Sequence, residues 1–126
     1  MEALRIDPTD DCPSVLLDKS NNKFEISGKS LPEDVVFFYQ PILDWLEEYK
    51  EAPLDKTIFD FKLVYFNTAS SKMILDVLLV LEEIKEEGKD VLVKWHSLSK
   101  DEDMQEAGEE YADMVEVDFE YLVYDM

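Results

Sequence analysis

The sequence predicts an α/β fold: a small mixed β-sheet with three helices packed mainly on one face, in the order ββ-α-β-α-β-α-β. Three observations predict it. Segments with a two-residue apolar period alternate along the chain with segments of helical period. Capping and breaking residues stand at the borders between them. Repeated β-α-β units imply parallel pairing through right-handed crossovers, which lets three helices share one face.

Residues 15–17 and 24–27 are apolar segments separated by Asp18, Lys19, Ser20, Asn21 and Asn22, the pattern of a hairpin. Phe24 and Ile26 share one face, with Glu25 opposite. Ser30 and Glu33 form a capping box, and Pro32 suits a first helical turn. Val35, Phe38, Ile42, Trp45, Leu46 and Tyr49 then follow at helical spacing. Pro41 lies inside this pattern and has no N–H, so it is expected to kink or split the helix near Phe37. Pro53 marks the end of the segment.

Residues 57–66 read as a strand. Phe59, Phe61, Leu63 and Tyr65 form one face, and Ile58, Asp60, Lys62, Val64 and Phe66 the other. A junction rich in capping residues follows, Asn67-Thr68-Ala69-Ser70-Ser71. The helix after it, beginning at Ala69, has Ile74, Val77, Leu78, Leu81 and Ile84 as its buried stripe and Gly88 as its stop. Residues 91–96 form another strand, with Val91, Val93 and Trp95 on one face. Ser99-Lys100-Asp101-Glu102 is a second capping box, and the helix beyond it groups Met104, Ala107, Gly108 and Tyr111. In the last strand Val117, Phe119, Tyr121 and Val123 alternate with Glu116, Asp118 and Glu120. Its polar face fits a partly exposed sheet or edge, and the alternation permits an edge-to-edge dimer.

A chain of 126 residues is expected to form one domain, residues 1–126. Its 46% hydrophobic content supports a packed core rather than disorder. Thirty-one acidic residues against twelve basic ones give a net charge of -19. Nucleic-acid binding is excluded on this ground, because phosphates demand Lys and Arg. Anionic membrane surfaces repel such a chain as well. The charge serves solubility, or a partner with a basic docking face. Cys12 is the only cysteine, so no intramolecular disulfide forms, as in a reducing compartment. Residues 1–13 lack the basic and apolar regions of a signal peptide, and the longest apolar run, 77–81, is too short to span a bilayer. A cytoplasmic protein is expected.

Catalytic chemistry finds no support. No nucleophile elbow, phosphate loop or dinucleotide motif is present. His96, the only histidine, makes a poor metal site alone and reads as structural. Asp101-Glu102-Asp103 lacks the spacing and glycine of a calcium loop and suits a first helical turn. Glu82, Glu83, Glu86 and Glu87 read as a solvated helix face, and Met73, Met104 and Met114 as core filler. No catalytic residue, metal or cofactor is assigned. Phe37, Phe38, Trp45, Phe59, Phe61 and Tyr65 either line an apolar pocket or form ordinary core. The first option describes a non-catalytic protein- or small-molecule-binding module without a phosphorylation switch.

Three segments resemble the SiaC family of bacterial regulatory phosphoproteins. The first is Ile26-Ser27-Gly28-Lys29-Ser30-Leu31-Pro32-Glu33, followed by Phe38-Tyr39-Gln40-Pro41-Ile42-Leu43-Asp44-Trp45-Leu46. The second is Tyr65-Phe66-Asn67-Thr68-Ala69-Ser70-Ser71-Lys72. The third is Val93-Lys94-Trp95-His96, then Asp101-Glu102-Asp103-Met104-Gln105-Glu106-Ala107-Gly108. Together they span nearly the whole chain in order. The resemblance implies a STAS-like fold, that of anti-sigma-factor antagonists. It also implies a threonine phosphorylated by a dedicated Ser/Thr protein kinase and dephosphorylated by a PP2C-type phosphatase. The unmodified form is expected to bind and activate a diguanylate cyclase. Thr68 matches the family's threonine by position. Ala69 stands where serine is expected, so Ser70 and Ser71 remain alternative acceptors. The implied partner-binding surface comprises Asn67, Thr68, Ala69, Ser70, Ser71 and Lys72.

The physical chemistry of that junction suits a switch. Free N–H groups at a helix N-terminus favour anions by about 0.3–1 kcal/mol. A phosphate there adds roughly -1.5 to -2 charges, which the fold tolerates. A partner that buries the site without supplying Arg or Lys pays a desolvation cost of about several kcal/mol. The alternative is that Asn67, Thr68, Ser70 and Ser71 only cap a helix.

Overall fold

The computed structural model describes residues 1–125; Met126 lies outside them. The chain forms β1 (Leu4–Ile6), β2 (Ser14–Asp18), β3 (Lys23–Ser30), α1 (Val35–Tyr49), β4 (Lys56–Phe66), α2 (Thr68–Glu86), β5 (Asp90–Leu98), α3 (Glu102–Met114) and β6 (Asp118–Tyr124). One six-stranded sheet runs β1-β2-β3-β4-β5-β6 in sequence order. β1-β2 and β2-β3 are antiparallel, and β3-β4, β4-β5 and β5-β6 are parallel. Each parallel step moves one strand in the same direction. Crossovers of one hand therefore deliver α1, α2 and α3 to the same face. The expected mixed sheet with one-sided helices is the observed one. The sequence reading missed β1, a three-residue edge strand too short to show a period.

The helix-covered face is the core. Val15, Leu17, Phe24, Ile26, Phe59, Phe61, Val91, Val93 and Trp95 point into it and are all buried. Tyr39, Ile42, Leu46 and Tyr49 of α1 and Ile74, Val77, Leu78, Leu81 and Ile84 of α2 meet them, each fully buried. An aromatic row crosses the sheet, with ring centroids 6.3 Å apart for Phe24–Phe59, 4.8 Å for Phe59–Phe61 and 5.5 Å for Phe61–Trp95. Burying each such ring contributes about 1.5–3 kcal/mol. The opposite face has no helix, and there Lys62 and Val64 are exposed.

One register change corrects the face assignment in β4. Gly28 pairs with Leu63, but Lys29 pairs with Tyr65, so Val64 is an extra residue in β4. Such a bulge flips the alternation beyond it. Phe66, not Tyr65, thereafter faces the helices: its ring centroid lies 6.4 Å from that of Tyr111, while Tyr65 is exposed.

Two helix starts differ from expectation, and one helix continues where a break was expected. Asp34, not Ser30, caps α1, its Oδ1 accepting from the N–H of Phe37 at 3.1 Å. Ser30 instead ends β3 and is buried. Asp101, not Ser99, caps α3, accepting from Met104 at 3.1 Å. In both cases strand pairing claims the serine: Ser30 pairs with Phe66, and the N–H of Ser99 bonds the carbonyl of Tyr124. α1 continues through Pro41 as one helix. The bond Pro41 cannot make lies between two exposed residues, and the buried stripe on the other side holds the helix together. Gly88, at φ +99°, ends α2 as expected.

Candidate functional site

The parallel strands β3, β4 and β5 end on one side of the sheet, so α1, α2 and α3 all begin there. The junction between β4 and α2 lies in the middle of this edge. Asn67 caps α2, its side-chain oxygen accepting from the N–H of Ser70 at 2.8 Å. Its own N–H bonds the carbonyl of Ser30 at 3.2 Å, which ties the turn to β3.

The three candidate hydroxyls occupy different surroundings. Thr68 is the first residue of α2, is exposed, and makes no side-chain hydrogen bond to another described residue. Ser70 is fully buried. Its Oγ donates to the carbonyl of Ser30 at 3.0 Å and accepts from Ser30 Oγ at 2.9 Å. Ser30 Oγ also meets the Tyr39 hydroxyl at 2.7 Å. Burial holds that phenol above its ordinary pKa. Ser71 is half-buried, and its Oγ donates to the carbonyl of Thr68 at 2.6 Å. Ala69 and Lys72 are exposed. Lys72 forms no ion pair with a described residue. Position 72 lies one turn beyond Thr68, where i and i+4 side chains are neighbours.

Beside this turn a groove of about 200 Å³ separates α2 from α3. Phe66, Leu75, Ala107 and Met114 supply its apolar walls, with Lys72 and Glu110 among its polar lining. Thr68, Ser71, Lys72 and Leu75 follow i, i+3, i+4 and i+7, one face of α2 that leads from the exposed threonine into the groove. The Tyr111 hydroxyl donates to the carbonyl of Ser71 at 2.8 Å and pins α3 to the same turn. The sequence showed neither the groove nor the Ser30–Ser70–Tyr39 cluster. These partners lie up to 40 positions apart, and no local pattern signals such a contact.

The aromatic pocket does not form. Phe59 and Phe61 are packed core, Phe37 is 80% exposed, and Tyr65 is exposed as well. Met114 is also exposed rather than core filler, because it ends α3 where the groove opens. Nor is Glu82 merely solvated: its carboxylate accepts the N–H of Glu116 at 2.7 Å. His96 lies on the helix-free face, Nε2 2.8 Å from Asp60 Oδ1 and Nδ1 2.8 Å from the Tyr124 hydroxyl. Among the described residues no helix is long and apolar enough to cross a membrane.

A model of the SiaC family regulatory phosphoproteins matches residues 6–124. An uncharacterized protein of Pseudomonas aeruginosa strain UCBPP-PA14 is 29% identical over 128 residues, covering 99% of each chain. Apo-SiaC from Pseudomonas aeruginosa superposes with a TM-score of 0.88 at 27% identity, over 97% of this chain and 99% of that one. The diguanylate cyclase SiaD in complex with its activator SiaC, from the same organism, contains a chain that superposes with a TM-score of 0.90 at 27% identity, over 96% and 99%. By sequence over most of its length and by fold, this chain belongs to the SiaC family of regulatory phosphoproteins.

Proposed function

We propose that this protein is a non-enzymatic, single-domain regulator in the cytoplasm that binds a diguanylate cyclase when unphosphorylated and releases it when Thr68 carries phosphate. A Ser/Thr protein kinase adds the phosphate and a PP2C-type phosphatase removes it. Two similarities support the partner: membership of a family of regulatory phosphoproteins, and the likeness to a SiaC described as the activator of a cyclase it binds.

The observation that carries the residue assignment is the exposure of Thr68 on the first turn of α2. Of the three hydroxyls it alone is both exposed and free of a hydrogen bond to a described residue. Phosphate on Ser70 has to break the bonds to Ser30 and open the core; phosphate on Ser71 has to release the carbonyl of Thr68.

The switch then follows from charge. On Thr68 a phosphate meets a helix N-terminus, worth about 0.3–1 kcal/mol in its favour, with Lys72 one turn away. The fold therefore persists. A partner seated over the first turn and the α2–α3 groove has to desolvate a doubly charged group. A cost of about 3 kcal/mol there weakens binding about a hundredfold.

The test is to isolate the protein from its native host, locate phosphate by intact mass and peptide sequencing, and compare cyclase capture by the two forms. Phosphate at Thr68, with capture confined to the unmodified form, supports the reading. Equal capture by both forms overturns the switch, and no phosphate under any growth condition leaves a plain protein-binding domain as the better reading.

A further inference from the structure

The outward face of α1 carries the most exposed large apolar side chain of the described residues, and the function above does not use it. Phe37 is 80% exposed and Val36 55%. Phe37, Gln40, Pro41 and Asp44 stand at i, i+3, i+4 and i+7, so they form one stripe. With Asp34 and Val36 they line a shallow depression of about 440 Å³. Phe37 and Val36 belong neither to the core nor to the residues packed against it, and together they form an exposed apolar patch on one depression rather than a lone surface side chain.

The polar groups around the ring share one character. Pro41 has no N–H, so the carbonyl of Phe37 lacks its helical donor. Asp34 and Asp44 add carboxylates, one oxygen of Asp34 accepting from the N–H of Phe37 and one of Asp44 accepting from Gln40 Nε2 at 2.8 Å. α1 contains no Lys or Arg. Lys50 at its C-cap is held by Glu47 at 2.8 Å and Glu83 at 2.6 Å. The stripe is therefore an aromatic face surrounded by acceptors and negative charge, with no cation of its own.

We propose that this stripe is a docking site for an arginine side chain presented by a partner protein. Guanidinium is planar, stacks on an aromatic ring, and presents several N–H donors to surrounding acceptors; the arginine stem covers apolar surface. Phe37 offers the ring, its own carbonyl and the two carboxylates the acceptors, and Val36 and Pro41 the apolar flank. A second copy of the chain is disfavoured, since it brings the same carboxylates and a net charge of -19. An anionic lipid surface is disfavoured for the same reason. The proposal does not depend on Thr68, and unphosphorylated protein suffices to test it.

The test separates arginine recognition from plain attraction to an acidic protein. Two amphipathic peptides of identical sequence carry arginine or lysine at every basic position, and so the same charge. Each is titrated into the protein by calorimetry and by mapping backbone amide shifts. The arginine peptide is expected to bind about two- to fivefold tighter, with shifts centred on residues 34–44. Phe37→Ala is expected to erase the difference while leaving the circular dichroism unchanged. Phe37→Leu, which keeps the apolar bulk without the ring, is expected to erase it too. Equal affinity for both peptides, a difference that survives Phe37→Ala, or shifts centred elsewhere overturns the proposal. So does self-association that Phe37→Ala abolishes, because it assigns the stripe to a second copy.

Discussion

Ser70, on the first turn of α2, donates its hydroxyl to the carbonyl of Ser30, the last residue of β3, at 3.0 Å. Both residues are fully buried, and Tyr39 closes the cluster from α1. The turn that carries Thr68 thus rests on a polar knot inside the core. Replacing Ser70 by alanine removes two buried hydrogen bonds, to the carbonyl and from the Oγ of Ser30. At about 0.5–1.5 kcal/mol each, their loss costs about 1–3 kcal/mol, the carbonyl keeping the N–H of Asn67. Thr68→Ala, at an exposed hydroxyl, is expected to change stability by less than about 0.5 kcal/mol. Chemical denaturation of the two variants checks the contrast; equal losses would contradict the arrangement.

Asn67→Ala removes the cap of α2. The expected loss is about 1 kcal/mol, as for other caps of this kind. Because the Asn67 side chain bonds the N–H of Ser70, fraying should concentrate there. Hydrogen exchange at the amides of residues 68–71 should accelerate more than at the far end of α2. Uniform acceleration along the helix argues against a local cap.

Gly108 packs against Trp95. A Cβ at position 108 would stand 2.5 Å from Trp95 Cδ1 and 2.7 Å from Nε1, the atom that donates to the carbonyl of Met104 at 2.8 Å. Alanine gains about 1 kcal/mol of helix propensity over glycine. The clash, at about 1–3 kcal/mol for overpacking, is expected to win, because the indole is fully confined by Phe61 and Tyr111. A red-shifted tryptophan emission and a lowered denaturation midpoint in Gly108→Ala check this. A more stable variant shows that α3 can move off the sheet.

Burial raises the phenols of Tyr39 and Tyr111 above their ordinary value of about 10, since an ionised ring loses its hydration there. A folded-state pKa above the unfolded one means that the folded protein holds its proton longer. The stability this contributes is complete below about pH 10 and disappears as pH rises through the folded values. Stability should accordingly be insensitive to these groups near neutrality and fall on the alkaline side. Tyr39→Phe should flatten part of that fall, although it also removes the bond to Ser30 and lowers stability at neutral pH. An alkaline slope unchanged by the substitution means that Tyr39 does not contribute to it.

The sequence by itself determined the alternation of strands and helices, the one-sided helical layer and the helix stop at Gly88, because periodicity and backbone chemistry are local. Its ordered segments also pointed to the family that the comparisons establish. Where two local signals competed, tertiary structure decided. Ser30 has the chemistry of a cap, yet strand pairing with Phe66 extends β3 through it and leaves the cap to Asp34. Alternation placed Tyr65 in the core, yet the extra residue at Val64 turned Phe66 inward. Pro41 signals a break, yet burial of one stripe carries α1 across it. The family resemblance put Thr68 first and left Ser70 and Ser71 as alternatives, while the local chemistry of the three hydroxyls is alike. The fold gives them different surroundings, because exposure and hydrogen bonding depend on Ser30 and Tyr39, which approach Ser70 from two other elements.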